Sequence, residues 1–256
     1  MNNKKVCIVV PCYNEAKRID INYFRKLSKI PNTEWFFVDD GSTDSTLKVL
    51  HKLEDRKNIS SICLKSNVGK SNAIAQGILQ IFNNVNDIGW IGFLDADGAF
   101  TISDIQNFIQ MTQSLKYYDA IYSSRVKMAG RNIHRNNKRH ITARLIITFF
   151  GMNWTDIPYD TQSGFKLYRN TPRLKLLFTE NFRTKWFFDI ELHLRYMNLK
   201  ASMFRVWEEP VTTWIDIPGS KINFREGFRI FSEICYITNL LYGQRKKLLE
   251  PAISQN

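Results

Sequence analysis

Short apolar runs that each end at a polar cluster constrain the fold of this chain most. The runs are rich in β-branched and aromatic residues and carry no charge: Val6–Val10, Trp35–Val38, Ile59–Leu64 and Trp90–Leu94. Uncharged runs of this length are typical of parallel strands that are buried on both faces. Segments with helical spacing separate them, so the pattern predicts an α/β fold with an open, mostly parallel sheet.

The same pattern predicts the connecting elements. A further strand is expected at Asp119–Ser123. Helices are expected from Glu15 to about Ile30, from a cap at Thr43 or Asp44 through Leu53, from Ala73 through Ile81, and from Ser103 to Leu115.

Polar clusters follow the ends of four predicted strands. They are Tyr13–Glu15, Asp39–Ser42, Asn67–Lys70 and Asp95–Gly98. Ligands of open α/β sheets bind beyond the carboxyl ends of the strands, so these clusters are expected to converge on one crevice.

Asp95 and Asp97 are the candidate metal ligands. Alternate side chains of an extended strand point the same way, so both carboxylates can face one space. Mg²⁺ and Mn²⁺ prefer such oxygens and often share their coordination with substrate phosphates. An ordinary Asp-Gly turn is the alternative.

Two common nucleotide-binding motifs are absent from the sequence. Gly69-Lys70-Ser71 lacks the first glycine of a Walker phosphate loop, and no GxGxxG follows the first predicted strand. The four cysteines have neither CxxC nor zinc-ligand spacing, so reduced thiols are expected.

The positive charge is concentrated in one half of the chain. The 256 residues carry a net charge of +12, nearly all of it after residue 124, and no acidic residue occurs between Asp119 and Asp156. The basic stretch Arg125–Arg144 favours an anionic partner: nucleic acid, a membrane surface or a phosphorylated substrate. A solvated basic loop is the alternative.

The apolar segments are too short to span a bilayer. No leader precedes the first strand, so a cytoplasmic protein is expected. Leu145–Met152 could lie in an interface or in the core. Between Phe228 and Leu241, an apolar helix face is expected opposite a polar face that includes Glu233, and this helix either packs on the domain or contacts membrane. The basic end Gln244–Lys247 could meet anionic headgroups.

The ordered motifs resemble those of the family 2 inverting glycosyltransferases. In the first half these are Val10–Glu15, Val38–Asp44, Asn67–Lys70 and Asp95–Gly98. Downstream, Ser124-Arg125, Asp160–Tyr168, Trp186–Leu192 and Ser220-Lys221 resemble the branch that contains dolichyl-phosphate β-glucosyltransferase and related polyprenyl-phosphate sugar synthases. The resemblance covers residues 6 to about 225.

This resemblance implies a GT-A fold, which is a Rossmann-like, mostly parallel sheet flanked by helices, with an acceptor-side extension. It implies a nucleotide-sugar part at 1–124, an acceptor and catalytic part at 125–225, and a C-terminal helix and basic tail at 226–256. It also implies Mg²⁺ or Mn²⁺ at Asp97 and Asp95. The residues implied for donor binding are Pro11, Tyr13, Glu15, Asp40 or Asp39, Asn67, Lys70, Asp95 and Lys221. Ala99 stands where some relatives have a third polar ligand, so phosphates and water would complete the coordination.

Two carboxylates match acidic positions of the family that could serve as the base. Asp189 is preferred, with Glu191 as its support, and Asp160 is the alternative. The simplest non-catalytic explanation is that Asp189 and Glu191 lie on the solvated side of a helix. Acceptor-phosphate or membrane contacts are expected at Arg125, Arg131, Arg135 and Arg139.

The sequence therefore predicts a metal-dependent glycosyltransferase at the inner membrane face. The expected donor is a UDP-hexose, first UDP-glucose, and the expected acceptor is a polyprenyl phosphate. Transfer to a glycan hydroxyl in surface polysaccharide assembly is the alternative. A basic nucleic-acid-binding module is a distant one, because no helix-turn-helix, RNP or zinc pattern is present and nucleic acid is not expected as a partner.

Overall fold

The computed structural model describes residues 4–134, 158–199, 204–215 and 229–240. Its central sheet contains β1 (Lys5–Cys12), β2 (Thr33–Asp39), β3 (Ile59–Cys63), β4 (Ile88–Leu94), β5 (Ala120–Ser124), β7 (Phe165–Arg169) and β8 (Val206–Pro210). The strand order is β3-β2-β1-β4-β7-β5-β8. Only β7 runs antiparallel to its neighbours in this sheet. Strands β6 (Asn132–His134) and β9 (Thr213–Ile215) form a separate parallel pair. The predicted mostly parallel sheet is confirmed.

Helices cover both faces of this sheet. The α-helices are α1 (Ile21–Leu27), α2 (Thr46–His51), α3 (Lys70–Asn84), α4 (Ile102–Ser114), α5 (Phe188–Leu199) and α6 (229–240), and a 3₁₀ turn spans Lys175–Phe178. One apolar cluster joins α1, α2 and α4 to the sheet, and the other joins α3, the 3₁₀ turn and α5 to it. None of the helices in the described ranges combines the length and apolar character needed to cross a bilayer.

The first helix starts later than predicted. It begins at Ile21 because Asp20 caps it, with Oδ1 accepting hydrogen bonds from the N–H groups of Asn22 and Tyr23. The residues from Asn14 to Ala16 instead bind the loop after β2, which keeps them out of the helix.

The second helix is shorter than predicted. It begins at Thr46 and ends at His51, so Leu53 lies beyond it. Asp44 accepts the Thr46 N–H at 2.9 Å, although the helix cap residue itself is Ser45.

A close approach between β4 and β7 positions the second half of the site. Gly92 on β4 faces the backbone of β7, where a Cβ atom would lie 1.9 Å from the Lys166 carbonyl oxygen. Glycine is therefore required at this position for the two strands to pair at this distance.

Helix α6 docks with a face that only partly matches the predicted one. Ile237 is fully buried against Phe187, Ile190 and Leu194 of α5 and the segment before it. Phe231, predicted on the apolar face, is 64% exposed, whereas Glu233, predicted on the polar face, is buried. The prediction was right for Ile237 and wrong for Phe231 and Glu233, because Glu233 binds backbone N–H groups before α5, which places its side of the helix inward.

Candidate active site

The loops after β1 and β2 are joined through Asn14. This residue adopts a left-handed conformation with φ of 54°, which asparagine tolerates better than most residues. Its N–H donates to Ser42 Oγ at 2.9 Å, and its side-chain oxygen accepts the Thr43 N–H at 2.9 Å. Two of the predicted clusters therefore form one structure.

Asp40 holds the loop that precedes α3. Its two carboxylate oxygens accept the N–H groups of Val68 and Gly69, at 2.7 and 2.9 Å. Burial raises the pKa of Asp40, although these two hydrogen bonds act in the opposite direction. The adjacent Asp39 is also buried and accepts the Ser42 N–H at 3.3 Å. Asp39 and Asp40, both implied for donor binding, thus hold the loops that follow β2 and precede α3.

Lys70 and Asp95 connect the third and fourth clusters. Lys70 Nζ lies 2.5 Å from Asp95 Oδ1, and Asp97 accepts the Ala99 N–H at 3.1 Å. Burial raises the pKa of Asp97, and the charge of Asp95 raises it further. Burial also raises the pKa of Glu15, to which Asp97 and Asp95 contribute against the effect of Arg18. The strand-end clusters therefore meet in one place, as predicted.

This concentration of carboxylates fits a divalent cation. The charge of Asp95 raises the pKa of Asp97, and a cation between the two carboxylates would relieve that repulsion. Within the described ranges, no group of three or more His, Cys, Asp or Glu side chains is arranged to hold a metal ion. Two carboxylates with phosphate oxygens form the arrangement that Mg²⁺ commonly adopts.

The remaining predicted donor residues lie around this cluster or outside the described ranges. Pro11 is half-buried at the end of β1, whereas Tyr13 and Asn67 are exposed. Lys221 lies outside the described residues.

The segment from Asp160 to Gly164 reaches the Asp95 carboxylate from the other half of the chain. The Asp95 N–H donates to the Gly164 carbonyl at 2.9 Å. A Cβ atom on Gly164 would lie 2.5 Å from Asp95 Oδ2, so only glycine leaves room for that carboxylate. The sequence pattern did not single out Gly164, because the contact depends on a residue 69 positions earlier.

Asp160 forms a buried ion pair with Arg125. The Arg125 side chain donates from Nε to Oδ2 at 2.7 Å and from Nη2 to Oδ1 at 2.8 Å, and it also stacks over the Trp214 ring. The Asp160 and Arg125 side chains are only 4% and 13% exposed. The structure therefore places both predicted site residues in one bidentate pair.

Asp189 lies at the start of α5 and binds Lys166 of β7. Lys166 Nζ donates to Asp189 Oδ1 and, at 2.7 Å, to the Ser163 carbonyl oxygen. Asp189 remains 16% exposed, whereas the Lys166 side chain is fully buried. Desolvation lowers the pKa of Lys166 even though Asp189 acts to raise it. The sequence analysis missed Lys166, and its charge within an apolar strand was the available signal.

Glu191 is fully buried and does not face solvent. It accepts the N–H groups of Arg183 and Thr184, at 3.1 and 2.9 Å, and pairs with Arg195 at 2.8 Å. The solvated-helix explanation is therefore wrong for Glu191. Its contacts hold the segment before α5, and a supporting role toward Asp189 stays a prediction.

Part of the predicted acceptor region lies outside the described residues. Arg131 is half-buried directly before β6. Arg135, Arg139, the segment Leu145–Met152, Phe228, Leu241 and the basic end 244–247 are not among the described residues.

The family model for glycosyl transferase family 2 matches residues 7–176, about two thirds of the chain. The chain belongs to glycosyl transferase family 2. The predicted enzyme class is therefore confirmed, and the strand-end clusters that predicted it all lie within the matched residues.

Curated relatives of this glycosyltransferase include dolichyl-phosphate β-glucosyltransferases from several organisms. The one from Saccharomyces cerevisiae is 28% identical over 240 residues, which cover 84% of this chain and 68% of the relative. The human one is 29% identical over 239 residues, covering 86% and 70%. These matches confirm the branch that the downstream motifs resemble.

Solved structures confirm the GT-A fold of this glycosyltransferase. Glucosyl-3-phosphoglycerate synthase from Mycobacterium tuberculosis, in complex with Mn²⁺, UDP and phosphoglyceric acid, has a TM-score of 0.59 at 14% identity and covers 84% of this chain and 72% of its own. A mannosyltransferase from Pyrobaculum calidifontis, in complex with GDP-mannose and Mn²⁺, has a TM-score of 0.56 at 14% identity, covering 85% and 58%.

Proposed function

We propose that this glycosyltransferase transfers glucose from UDP-glucose to a polyprenyl phosphate with inversion at the anomeric carbon. An acceptor oxygen forms the new bond to that carbon as the bond to the β-phosphate oxygen of UDP breaks. The names of the curated relatives support glucose as the sugar and a lipid phosphate as the acceptor.

One observation carries the proposal: the position of Lys70 between the two halves of the site. Its ammonium contacts Asp95, and its charge also interacts with those of Asp189 and Asp97. Lys70 thus pairs with a donor-side carboxylate and interacts electrostatically with the candidate base. A cation at this position supports transfer from a diphosphate donor, because negative charge develops on the departing diphosphate.

The residues of the donor side bind and orient the diphosphate. Asp97 and Asp95 would hold Mg²⁺ or Mn²⁺, and a solved structure with the same fold is a Mn²⁺ complex. When bound, the metal would neutralise charge that develops on the departing diphosphate. Lys70, which lies beside Asp95, would supply a second positive charge there.

On the acceptor side, Asp189 is the better candidate base. Both carboxylate oxygens of Asp160 accept hydrogen bonds from the Arg125 side chain, and Asp160 is almost fully buried. Asp189 presents a partly exposed carboxylate and interacts electrostatically with Lys70. A base within reach of both the acceptor and the donor site is what deprotonation during transfer needs.

Membrane contact is part of the same proposal. A polyprenyl chain stays in the bilayer, so the enzyme has to bind its phosphate at the cytoplasmic surface of the membrane. The basic segment 125–144 would attract anionic headgroups there. Because Arg125 is engaged by Asp160, the other basic residues of this segment are proposed for that contact.

Lipid extraction after incubation tests the proposal. The purified chain would receive UDP-glucose, Mg²⁺ or Mn²⁺ and a polyprenyl phosphate, and labelled sugar in the lipid fraction would be counted. We expect EDTA to abolish transfer. Asp97→Ala should lower the transfer rate at least about a hundredfold and leave the circular dichroism spectrum unchanged. No lipid-linked sugar from any common nucleotide sugar, or full activity without metal, would contradict it.

Transfer to a glycan hydroxyl is the second candidate. It is favoured by the ordered Asp189 base, because a hydroxyl needs deprotonation more than an ionised phosphate does. A poly-β-1,6-N-acetyl-D-glucosamine synthase from Staphylococcus aureus is also 29% identical over 113 residues, 44% of this chain and 26% of its own. Asp189→Asn separates the two: activity on a hydroxyl acceptor should fall far more than activity on a phosphate.

A further inference from the structure

Lys166 is a charged side chain in the interior of the central sheet. It lies on β7, between β4 and β5, with no exposed surface. The rings of Phe93 and Tyr122 flank its ammonium, each with a centroid 5.2 Å away. An ammonium is costly to bury, so its position requires a specific partner.

That partner is one oxygen of Asp189. Lys166 Nζ donates to Oδ1, and the described residues provide no hydrogen bond to Oδ2. The carboxylate keeps some exposure while the ammonium has none. The pair therefore holds Oδ1 against the sheet and leaves Oδ2 without a hydrogen bond from the described residues.

The same ammonium connects Asp189 to the donor side. It also donates to the Ser163 carbonyl, and the next residue, Gly164, accepts the Asp95 N–H. Ser163 is itself held by Ser123, with 2.5 Å between the hydroxyl oxygens. Asp95 and Asp189 are thus connected through Gly164, Ser163 and Lys166, which belong to β7 and the turn before it. These contacts set the separation between the two carboxylates.

We propose that Lys166 is a positioning residue for Asp189 in the transfer reaction. Its ammonium fixes Oδ1 and compensates the carboxylate charge, so that Oδ2 faces the acceptor oxygen and an anionic acceptor can approach. This inference rests on the proposed function for its reaction, since it assigns Asp189 the role of base. It adds a residue from β7 that makes no contact with the acceptor itself.

A double-mutant cycle tests the proposal. Lys166→Met, Asp189→Asn and the double variant would be assayed with UDP-glucose and polyprenyl phosphate, and with a glycan hydroxyl acceptor. We expect Lys166→Met to lower kcat about as far as Asp189→Asn does on the same acceptor, which is about a hundredfold on a hydroxyl and less on a phosphate. The donor KM should change by less than about twofold. The double variant should equal Asp189→Asn within about twofold, because Lys166 acts only through Asp189.

The control is Lys175→Met, which removes an exposed lysine that binds Asn83 on the protein surface. It should leave kcat and KM unchanged. Losses that multiply in the double variant, a raised donor KM at constant kcat, or no loss in either single variant would overturn the proposal. The last result would still leave the proposed transfer reaction standing.

A spectroscopic measurement keeps the test independent of activity and of variant folding. In the wild-type chain, the Lys166 ammonium should give a ¹H–¹⁵N signal that exchanges slowly with water, because it is buried and hydrogen-bonded. If this signal is absent, the ion pair between Lys166 and Asp189 is contradicted, even if sugar transfer is observed. A signal without any sugar transfer would count against the proposed function and leave the pair intact.

Discussion

The guanidinium of Arg125 binds both carboxylate oxygens of Asp160, with donor–acceptor distances of 2.7 and 2.8 Å. The Arg125 backbone N–H also donates to Asp160, at 2.9 Å. Arg125 and Asp160, which the sequence motifs associate with the acceptor, thus form an ion pair inside the protein. The most direct effect of this ion pair is on the stability of the fold.

We expect Arg125→Met to lower the free energy of unfolding by about 3–5 kcal/mol, since it leaves the buried Asp160 without its counter-charge. Urea denaturation would measure the loss. Asp160→Asn in the same chain should recover part of it. Lys5→Met is the control, because its ion pair with Glu34 is exposed and should contribute less than about 1 kcal/mol. Equal losses in the two single variants would contradict the assignment.

Gly164→Ala should impair the proposed donor site. The new Cβ would lie 2.5 Å from Asp95 Oδ2, so either the carboxylate or the turn has to move. Because displacement of a site by about 1 Å can cost a hundredfold, we expect kcat/KM for UDP-glucose to fall by about that factor.

Gly130→Ala separates this effect from backbone strain. Gly130 has φ of 78°, so an alanine there strains the backbone. Its Cβ atom would lie within 4 Å of no other atom, and the substitution therefore causes no clash with Asp95. It should reduce stability by about 1 kcal/mol and leave kcat/KM unchanged. A Gly164 variant with normal donor kinetics would rule out the steric argument.

Glu233→Gln should loosen the segment that leads into α5. Glu233 accepts the N–H groups of Lys185 and Trp186, at 2.9 and 2.8 Å, and that of Phe187 at 3.3 Å. An amide can accept from only one side, so at least one buried N–H loses its partner, at about 1–3 kcal/mol. Hydrogen exchange over 182–187 should accelerate, and kcat should fall.

Arg229→Gln is the matched control for this helix. Arg229 lies 3.5 Å from Glu233 but is 57% exposed, so the pair should contribute less than about 1 kcal/mol. If both variants exchange at the wild-type rate, Glu233 does not hold the segment.

His193 should make stability depend on pH. Burial lowers its pKa from about 6.5 to about 4, so the folded protein resists protonation that the unfolded chain accepts. Stability is therefore highest above pH 6.5 and declines as the pH falls toward 4, by up to about 3 kcal/mol. Thermal denaturation between pH 7 and 4 should show a smaller decline in His193→Gln. His51→Gln, at an exposed histidine, should keep the wild-type decline.

Local sequence was sufficient to predict strands β1 to β5 and the meeting of the polar clusters that follow the first four. The runs around Val9, Phe37 and Phe93 alternate with helical segments, and this periodicity reports burial directly. Polar clusters at the ends of parallel strands have to meet at one edge, so the approach of Glu15, Lys70 and Asp95 followed from the topology. The start of α1 was misjudged because Asn14 and its neighbours bind residues about 30 positions away.

Only the tertiary structure decided which charged groups pair inside the protein. Lys166 meets Asp189 because β7 enters the sheet antiparallel, beside Gly92, and no local pattern encodes that approach. Glu233 lies on the docked face of α6 because three N–H groups before α5 require an acceptor. Hydrophobic periodicity determines which elements form, whereas the pairing of buried charges depends on which elements the fold brings into contact.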